Sequence, residues 1–435
     1  MLLAGSTLVL RRQFRDATRS ALRRLPGGRE QHVDQKTVLA ALTTAPEREA
    51  ALAALGDGPR AIDCPELGSG RLVFTRYREV RHLLRHPGFI CAPTAAGLLD
   101  EINPDLRPAL EPVMSWVLYA DAPQHPRLRG LLARAFAPRR IAALEPQIAA
   151  VADALVSQFV RAGGGDVVRS VAEPLPVHTI CALLGIPEGD RELVKGWSDD
   201  VVLLTEPTLT DGQEKRLAAA WAGLWDYFSG LVERRRSHAS ADIVSALVEV
   251  EEQGERLTLE EAVSNLIALL IGGHETTTGL IGAVLRAIAD HPGEARAAAG
   301  SAESVGGFVE EVLRLDGPAL ITARTAAEDC EVLGIPVAAG RRLVLLQASA
   351  NRDPEVFEDP QEFRPGRRNP HVAFGYGPHA CFGAALARME AAAVLRAVAR
   401  RACRLHAEDG VVWKPSQVIR SATFLPMRVE RAADR

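Results

Sequence analysis

Apolar positions recur at helical spacing along most of the chain, from about residue 34 to residue 314, with proline and glycine punctuating the runs. Gly163-Gly164-Gly165 and Asp211-Gly212 read as loops within that stretch. After Arg314 the texture changes. Residues 330–336 and 342–346 alternate like short strands joined by turns. A proline-rich, weakly periodic meander covers 351–370, a glycine-punctuated loop follows at 374–383, and a last helical run spans 384–404. The pattern predicts a mainly α (α+β) fold: one large helix-rich domain over 34–435 with small β-sheets near its end.

The longest predicted helix runs from about 259 to 290. Thr258-Leu259-Glu260-Glu261 is a capping box at its start, and His291-Pro292-Gly293 supplies its stop. At 1.5 Å per residue it is about 48 Å long, the span of a whole domain. Residues 266–285 are nearly free of charge and would pass as a membrane span. A buried glutamate at bilayer depth is costly, so the segment reads better as a helix through a protein core. Its middle is poor helix: Gly272 and Gly273 cost about 1 kcal/mol each against alanine, and three threonines follow. A local conflict of this kind marks function, and a kinked helix is expected there.

Composition narrows the function. Of 435 residues 47% are hydrophobic and 24% charged, an ordinary soluble balance, and the net charge of −4 gives no reason to expect nucleic acid as a partner. The six cysteines show no CxxC, which leaves zinc ribbons and dithiol redox sites unsupported and excludes a CxxCH heme attachment. They fit a reducing, cytoplasmic setting. Residues 1–10 are mostly apolar and six arginines follow before residue 25, too short a run for a bilayer. That pattern also fits a basic amphipathic helix on a membrane. We read residues 1–33 as a poorly ordered extension.

The most informative segment is Phe374-Gly375-Tyr376-Gly377-Pro378-His379-Ala380-Cys381-Phe382-Gly383. A lone thiolate suits a soft or borderline metal and leaves its other positions to something else. The glycines let the loop wrap the sulfur and aim N–H groups at it, and the dipole of the following helix favours a deprotonated Cys381. Taken alone, the loop also fits a buried structural cysteine beside a turn. With every position filled, it resembles the heme-binding signature of the cytochrome P-450 family. Gly272-Gly273-His274-Glu275-Thr276-Thr277 resembles that family's oxygen-binding motif, with glycine where alanine is more usual.

The resemblance covers about residues 34–429 and implies a soluble, bacterial-type heme-thiolate monooxygenase. Cys381 would be the axial ligand of heme b, with Phe374, Gly375 and Gly273 in the cofactor's surroundings. His125, Arg129, Arg324 and His379 match the family's partners for the two heme carboxylates; His125 and Arg129 also share a helix face. Thr276 is expected to position oxygen and Glu275 to deliver protons. The alternative is that threonines 276–278 bond back to their own helix carbonyls. His274 receives no role. Glu311 and Arg314, three apart on one helix, pair with Arg367 of the meander as a structural device.

The same resemblance implies O2 as co-substrate and NAD(P)H electrons arriving through a ferredoxin and a ferredoxin reductase. Arg388, Arg396, Arg400 and Arg401, with Arg134, Arg139 and Arg140, are a candidate docking face, or simply solvated arginines. A cytoplasmic monomer with no transmembrane segment is expected. The substrate reads as a sizeable, mostly apolar small molecule, an intermediate of secondary metabolism, either free or carrier-bound. Trp116 and Phe424 are candidate pocket walls, and Thr322 and Thr423 candidate polar anchors. Hydroxylation or epoxidation leads; oxidative C–C or C–O coupling and a non-catalytic heme-binding module are the competing outcomes.

Overall fold

The structure is a computed structural model that describes residues 35–42, 47–64, 71–93, 96–97, 103–206, 209–250, 256–401 and 403–431. The extension at 1–33 lies outside the described residues. The chain divides into two compact units. The first takes the described residues up to 94 with 319–362 and 371–380, and the second takes the remainder.

The first unit is built on a five-stranded sheet in the order Ala61–Asp63, Leu72–Phe74, Arg342–Leu346, Ile321–Ala326, Phe89–Ile90. Only the second and third strands run parallel. Alternation decides what each face carries. Leu72, Phe74, Leu343 and Leu345 face one core, shared with Tyr77, Val80, Leu83 and Leu84 of helix α3 (Tyr77–Arg85). Val73, Val344 and Leu346 face the other, against Val38 and Leu42 of α1 (Gln35–Leu42) and Leu52 and Leu55 of α2 (Arg48–Asp57). A sheet covered on both faces needs continuous apolar runs, which is what Leu343-Val344-Leu345-Leu346 supplies. Residues 330–336, read as strands, form the hairpin Cys330–Val332 with Ile335–Val337.

The second unit holds the main helices: α4 (Gln124–Ala135), α5 (Glu145–Arg161), α6 (Pro174–Leu183), α7 (Arg191–Val201), α8 (Asp211–Ser237), α9 (Leu259–Asp290), α10 (Ala302–Asp316) and α11 (Ala384–Ala399). Helix α9 starts and stops where its caps predicted, with Thr258 and Glu261 exchanging both capping-box bonds. Helices α6, α7, α8, α10 and α11 all pack on it. It is the one helix among the described residues long and apolar enough to cross a membrane, and it is largely buried inside protein.

Three expectations need correction. The last helix ends at Ala399, because residues 403–407 leave it for a strand paired with Pro426–Arg431. The buried Leu405, Met427 and Val429 alternate there at strand period, which the helical reading overlooked. Gly164–Asp166 is the edge strand of the same sheet, not a loop. Gly164 is needed because a side chain would strike the Met427 carbonyl. Helix α9 is also unbroken through residues 272–278, where a kink was expected.

Candidate functional site

Cys381 lies near the end of the glycine loop, three residues before α11 begins, in the second unit. Burial pushes its thiol up. The backbone N–H of Gly383, the guanidinium groups of Arg129 and Arg388 and the N–H of Ala384 pull the other way. The side chain is nevertheless open to solvent by surface area. A sulfur both reachable and closely surrounded lines a recess, so the two observations are compatible. The N–H groups on the sulfur come from the start of α11; the loop glycines were expected to provide them. Gly375 and Gly377 instead take left-handed backbone angles, with φ of 70° and 77°.

Arg129, on α4, lays its guanidinium 4.2 Å from the centre of the Phe382 ring and feels the Cys381 charge. Burial lowers its affinity for a proton, and Cys381 raises it. His125 is buried one turn earlier on the same helix. The remaining loop and cofactor candidates lie in the first unit. Arg324 is buried, with Nη1 donating to the Ala323 carbonyl at 2.7 Å and near the Thr322 hydroxyl at 3.5 Å. His379 Nε2 is 3.7 Å from Cys91 Sγ. The segment leading to Phe374 and Gly375 is held at Val372, whose carbonyl accepts from Gln347 and whose N–H donates to Asn351.

On α9 the exposed or half-exposed positions from 268 to 276 are Ala268, Leu269, Gly272, Gly273 and Thr276, within an otherwise buried helix. Gly272 meets open space, whereas a side chain on Gly273 would run into Ile180 of α6 at 2.7 Å. Gly273 therefore serves close helix packing on one side, while Gly272 and Thr276 share the open face with it. The Thr276 hydroxyl donates to the Gly272 carbonyl at 2.8 Å, the back-bonded alternative. Glu275 turns elsewhere. Its carboxylate is buried, bonded by Lys414 Nζ at 2.6 Å and 4.0 Å from His274 Nε2.

Glu311 is the most fully bonded carboxylate of the unit. Arg314 forks onto it at 2.9 and 2.8 Å, Arg367 Nε donates at 2.9 Å, the Arg364 N–H at 2.8 Å and Asn369 at 2.9 Å. Three of the seven docking arginines are committed to acids. Arg388 forks onto Glu310 at 2.6 and 2.8 Å, while Arg400 and Arg401 converge on Asp153 and hold its carboxyl down to about 2. Trp116, a candidate wall, is a core residue packed with Tyr119 and Trp221. The Thr423 hydroxyl is used on the Val412 carbonyl. Sequence reasoning missed Lys414, Asp199 and Lys195 altogether.

These residues fit a heme. Among the described residues, no His, Asp, Glu or second Cys joins Cys381 in a metal-ligating cluster, so a metal there must bring most of its own ligands. A porphyrin does so, and its carboxylates call for cations such as the half-buried Arg129. A cytochrome P450 family model matches residues 305–414. Cytochrome P450 monooxygenase PikC of Streptomyces venezuelae is 37% identical over 326 residues, 73% of this chain and 77% of that protein. Nocardicin C N-oxygenase of Nocardia uniformis subsp. tsuyamanensis is 36% identical over 360 residues, 81% of this chain and 88% of its own. A solved structure of P450BioI in complex with acyl carrier protein ligated to hexadec-9Z-enoic acid superposes with a TM-score of 0.81 at 30% identity, over 90% of this chain and all of that one. With the thiolate loop, the saturated Glu311 network and these relatives in agreement, the chain belongs to the cytochrome P450 family and is a monooxygenase-class oxidoreductase.

Proposed function

We propose that this P450 monooxygenase hydroxylates or epoxidises a mostly apolar small molecule of secondary metabolism, in the cytoplasm, with electrons from a separate ferredoxin and ferredoxin reductase. The observation that carries the reading is the setting of Cys381, a single sulfur at a helix start with two backbone N–H groups and Arg129 arrayed on it. A bound heme with a thiolate ligand supplies the electron density that favours O–O cleavage.

The chain's own residues do the rest. Cys381 provides the sulfur, stabilised as thiolate by the Gly383 and Ala384 N–H groups. Arg129 and His125 offer positive charge or an N–H donor to the cofactor's carboxylates, and the family resemblance assigns the same role to Arg324 and His379. The Thr276 hydroxyl faces the open side of α9 and, by rotating off the Gly272 carbonyl, becomes a donor toward that space. Glu275 stands one residue away as the acid that passes protons inward, buried in a protein shell that keeps bulk water out. Ala268, Leu269 and Gly272 give the open face an apolar character that suits an apolar substrate. Nocardicin C N-oxygenase is by its name an oxygenase acting on nocardicin C, and the likeness supports a small-molecule substrate here.

A second reading, in which the substrate arrives tethered to a carrier protein, draws on the likeness to P450BioI in its acyl carrier protein complex. Titrating the purified ferric holoprotein with a chemically diverse ligand panel tests both. A high-spin shift of the main heme band with one apolar class supports the free-substrate reading. An intact thiolate-type ferrous carbonyl spectrum with no shift across the panel supports the carrier-bound one. A ferrous carbonyl spectrum lacking the thiolate signature, or one unaltered in Cys381→Ser, overturns the proposal.

A further inference from the structure

Beside Glu275 lies a chain of ionisable groups that the proposed function leaves unused. His274, buried on α9, has Nε2 3.4 Å from Asp199 Oδ1 and 4.0 Å from Glu275 Oε2. Its Nδ1 is 3.2 Å from the Leu270 carbonyl and 3.3 Å from the Ser198 hydroxyl. A carbonyl only accepts, so we assign the neutral ring's proton to Nδ1, which leaves Nε2 with its lone pair facing the two carboxylates. Asp199, on α7, is 37% exposed, whereas Glu275 is 4% exposed. The imidazole therefore stands at a boundary, with a solvent-reachable acid on one side and a buried acid on the other.

The flanking charges are also ordered. Lys195 Nζ lies 2.6 Å from Asp199 and 3.0 Å from Glu173; Lys414 Nζ lies 2.6 Å from Glu275. Burial pushes the Asp199 carboxyl up, but the hydrogen bond and charge of Lys195, joined by His274 when its ring is protonated at Nε2 as well, outweigh it and hold the group down to about 2. The three candidate ligand atoms of Asp199, His274 and Glu275 sit within 4.8 Å of one another, a spacing that would also suit a metal. Each carboxylate already has an ammonium against it, which opposes a second cation. The arrangement is better suited to a proton.

We propose that His274 is a relay residue that carries protons from solvent at Asp199 to the buried carboxylate of Glu275. The inference rests on the reading of Glu275 as the proton-delivering acid. In the step, a water bonded to Asp199 passes one proton to Nε2 as it takes another from bulk solvent, so the water is unchanged and the ring becomes an imidazolium. The Nε2–H bond then breaks as the proton passes to Glu275 Oε2, which leaves a neutral ring and a neutral carboxylic acid. Water at Asp199 restores the first state. The 4.0 Å gap to Glu275 exceeds a hydrogen bond, so the carboxylate must rotate partly away from Lys414 for each transfer.

The test compares Asp199→Asn, His274→Gln and Glu275→Gln in the reconstituted holoenzyme. Two readouts are used: the partition of electrons between product and peroxide across pH, and the 15N resonances of the His274 ring in the ferrous carbonyl form. We expect His274→Gln to lower product formation by up to roughly 10²-fold, the low end of general acid–base effects, and to flatten its pH profile. Asp199→Asn, a change at a partly exposed side chain, should give a smaller loss, and the His274 ring nitrogens should respond to both carboxylate variants. If His274→Gln and Asp199→Asn keep the wild-type partition and pH profile while Glu275→Gln uncouples, the relay is wrong and Glu275 draws protons elsewhere. If all three keep the wild-type partition, the reading of Glu275 itself falls, and the relay with it.

Discussion

Two buried glutamates in the second unit are bonded in opposite ways. Glu311 is completely enclosed and receives donors from Arg314, Arg367, Asn369 and the Arg364 N–H. Glu275 is nearly as buried, yet its bonded ammonium, Lys414, is 29% exposed, and its other neighbour is an imidazole leading outward. A carboxylate with every lone pair occupied is fixed in charge and position. One with a single solvent-reachable cation keeps lone pairs open to other partners. The first arrangement ties α10 to the meander; the second leaves a carboxylate available for chemistry. Burial alone does not separate structural acids from functional ones, whereas the completeness of their bonding does.

The strongest way to break this comparison is Glu311→Gln. Removing one partner of a buried ion-pair network leaves two arginines uncompensated, a cost of about 3–5 kcal/mol. Urea denaturation should show that loss, with little holoprotein recovered; near-normal stability would mean that the network does not anchor the meander. Glu275→Gln should do the reverse. Stability should hold to within about 1 kcal/mol, because the amide keeps one acceptor for Lys414. Product formation should fall roughly 10²-fold, with reductant diverted to peroxide. Turnover measured beside peroxide release checks it.

Much of this was legible in sequence where local chemistry decides. Helix α9 was readable from Thr258, Glu261 and His291-Pro292, because caps act within a few residues. Glu311, Arg314 and Arg367 were assigned through family resemblance, and the geometry places all three in one network. The Glu275–Lys414 pair was invisible, since its members lie 139 positions apart and no periodicity links them. His274 meets Asp199 across 75 positions, through the packing of α7 on α9. Gly273 looked like part of a ligand-facing kink, but the neighbour that requires it is Ile180, which only tertiary contact reveals. Gly164 misled for the same reason.

Glu390 sharpens the comparison as a third buried acid, one with no cation bonded to it. It lies on α11, fully enclosed, and burial pushes its carboxyl up to about 8 from an ordinary 4.5, against a smaller pull from the Thr179 hydroxyl. The folded state therefore keeps the acid neutral where the unfolded chain ionises it. Stability tied to that neutral acid is fully present below pH 4.5 and drains away as pH rises toward 8. Glu390→Gln removes the titration. The variant should match the wild type near pH 4.5 and exceed it at pH 8 by on the order of 4 kcal/mol. Urea midpoints at the two pH values read the difference directly; parallel curves would mean that Glu390 is ionised in the fold.

The smallest expected effect probes how closely Glu275 depends on its one bonded ammonium. Lys414→Met removes the group 2.6 Å from the carboxylate, but the lysine is partly exposed and its contribution is screened. The loss should be about 1 kcal/mol, well below that for Glu311. In a Glu275→Gln background the same substitution should cost nearly nothing, because a neutral amide does not require a cation. The difference between the two measurements is the coupling energy of the pair. A coupling close to zero would mean that His274, and not Lys414, is the partner that decides the charge of Glu275. A coupling as large as that of Glu311 with Arg367 would make Glu275 a second structural acid, and the distinction between the two sites would collapse.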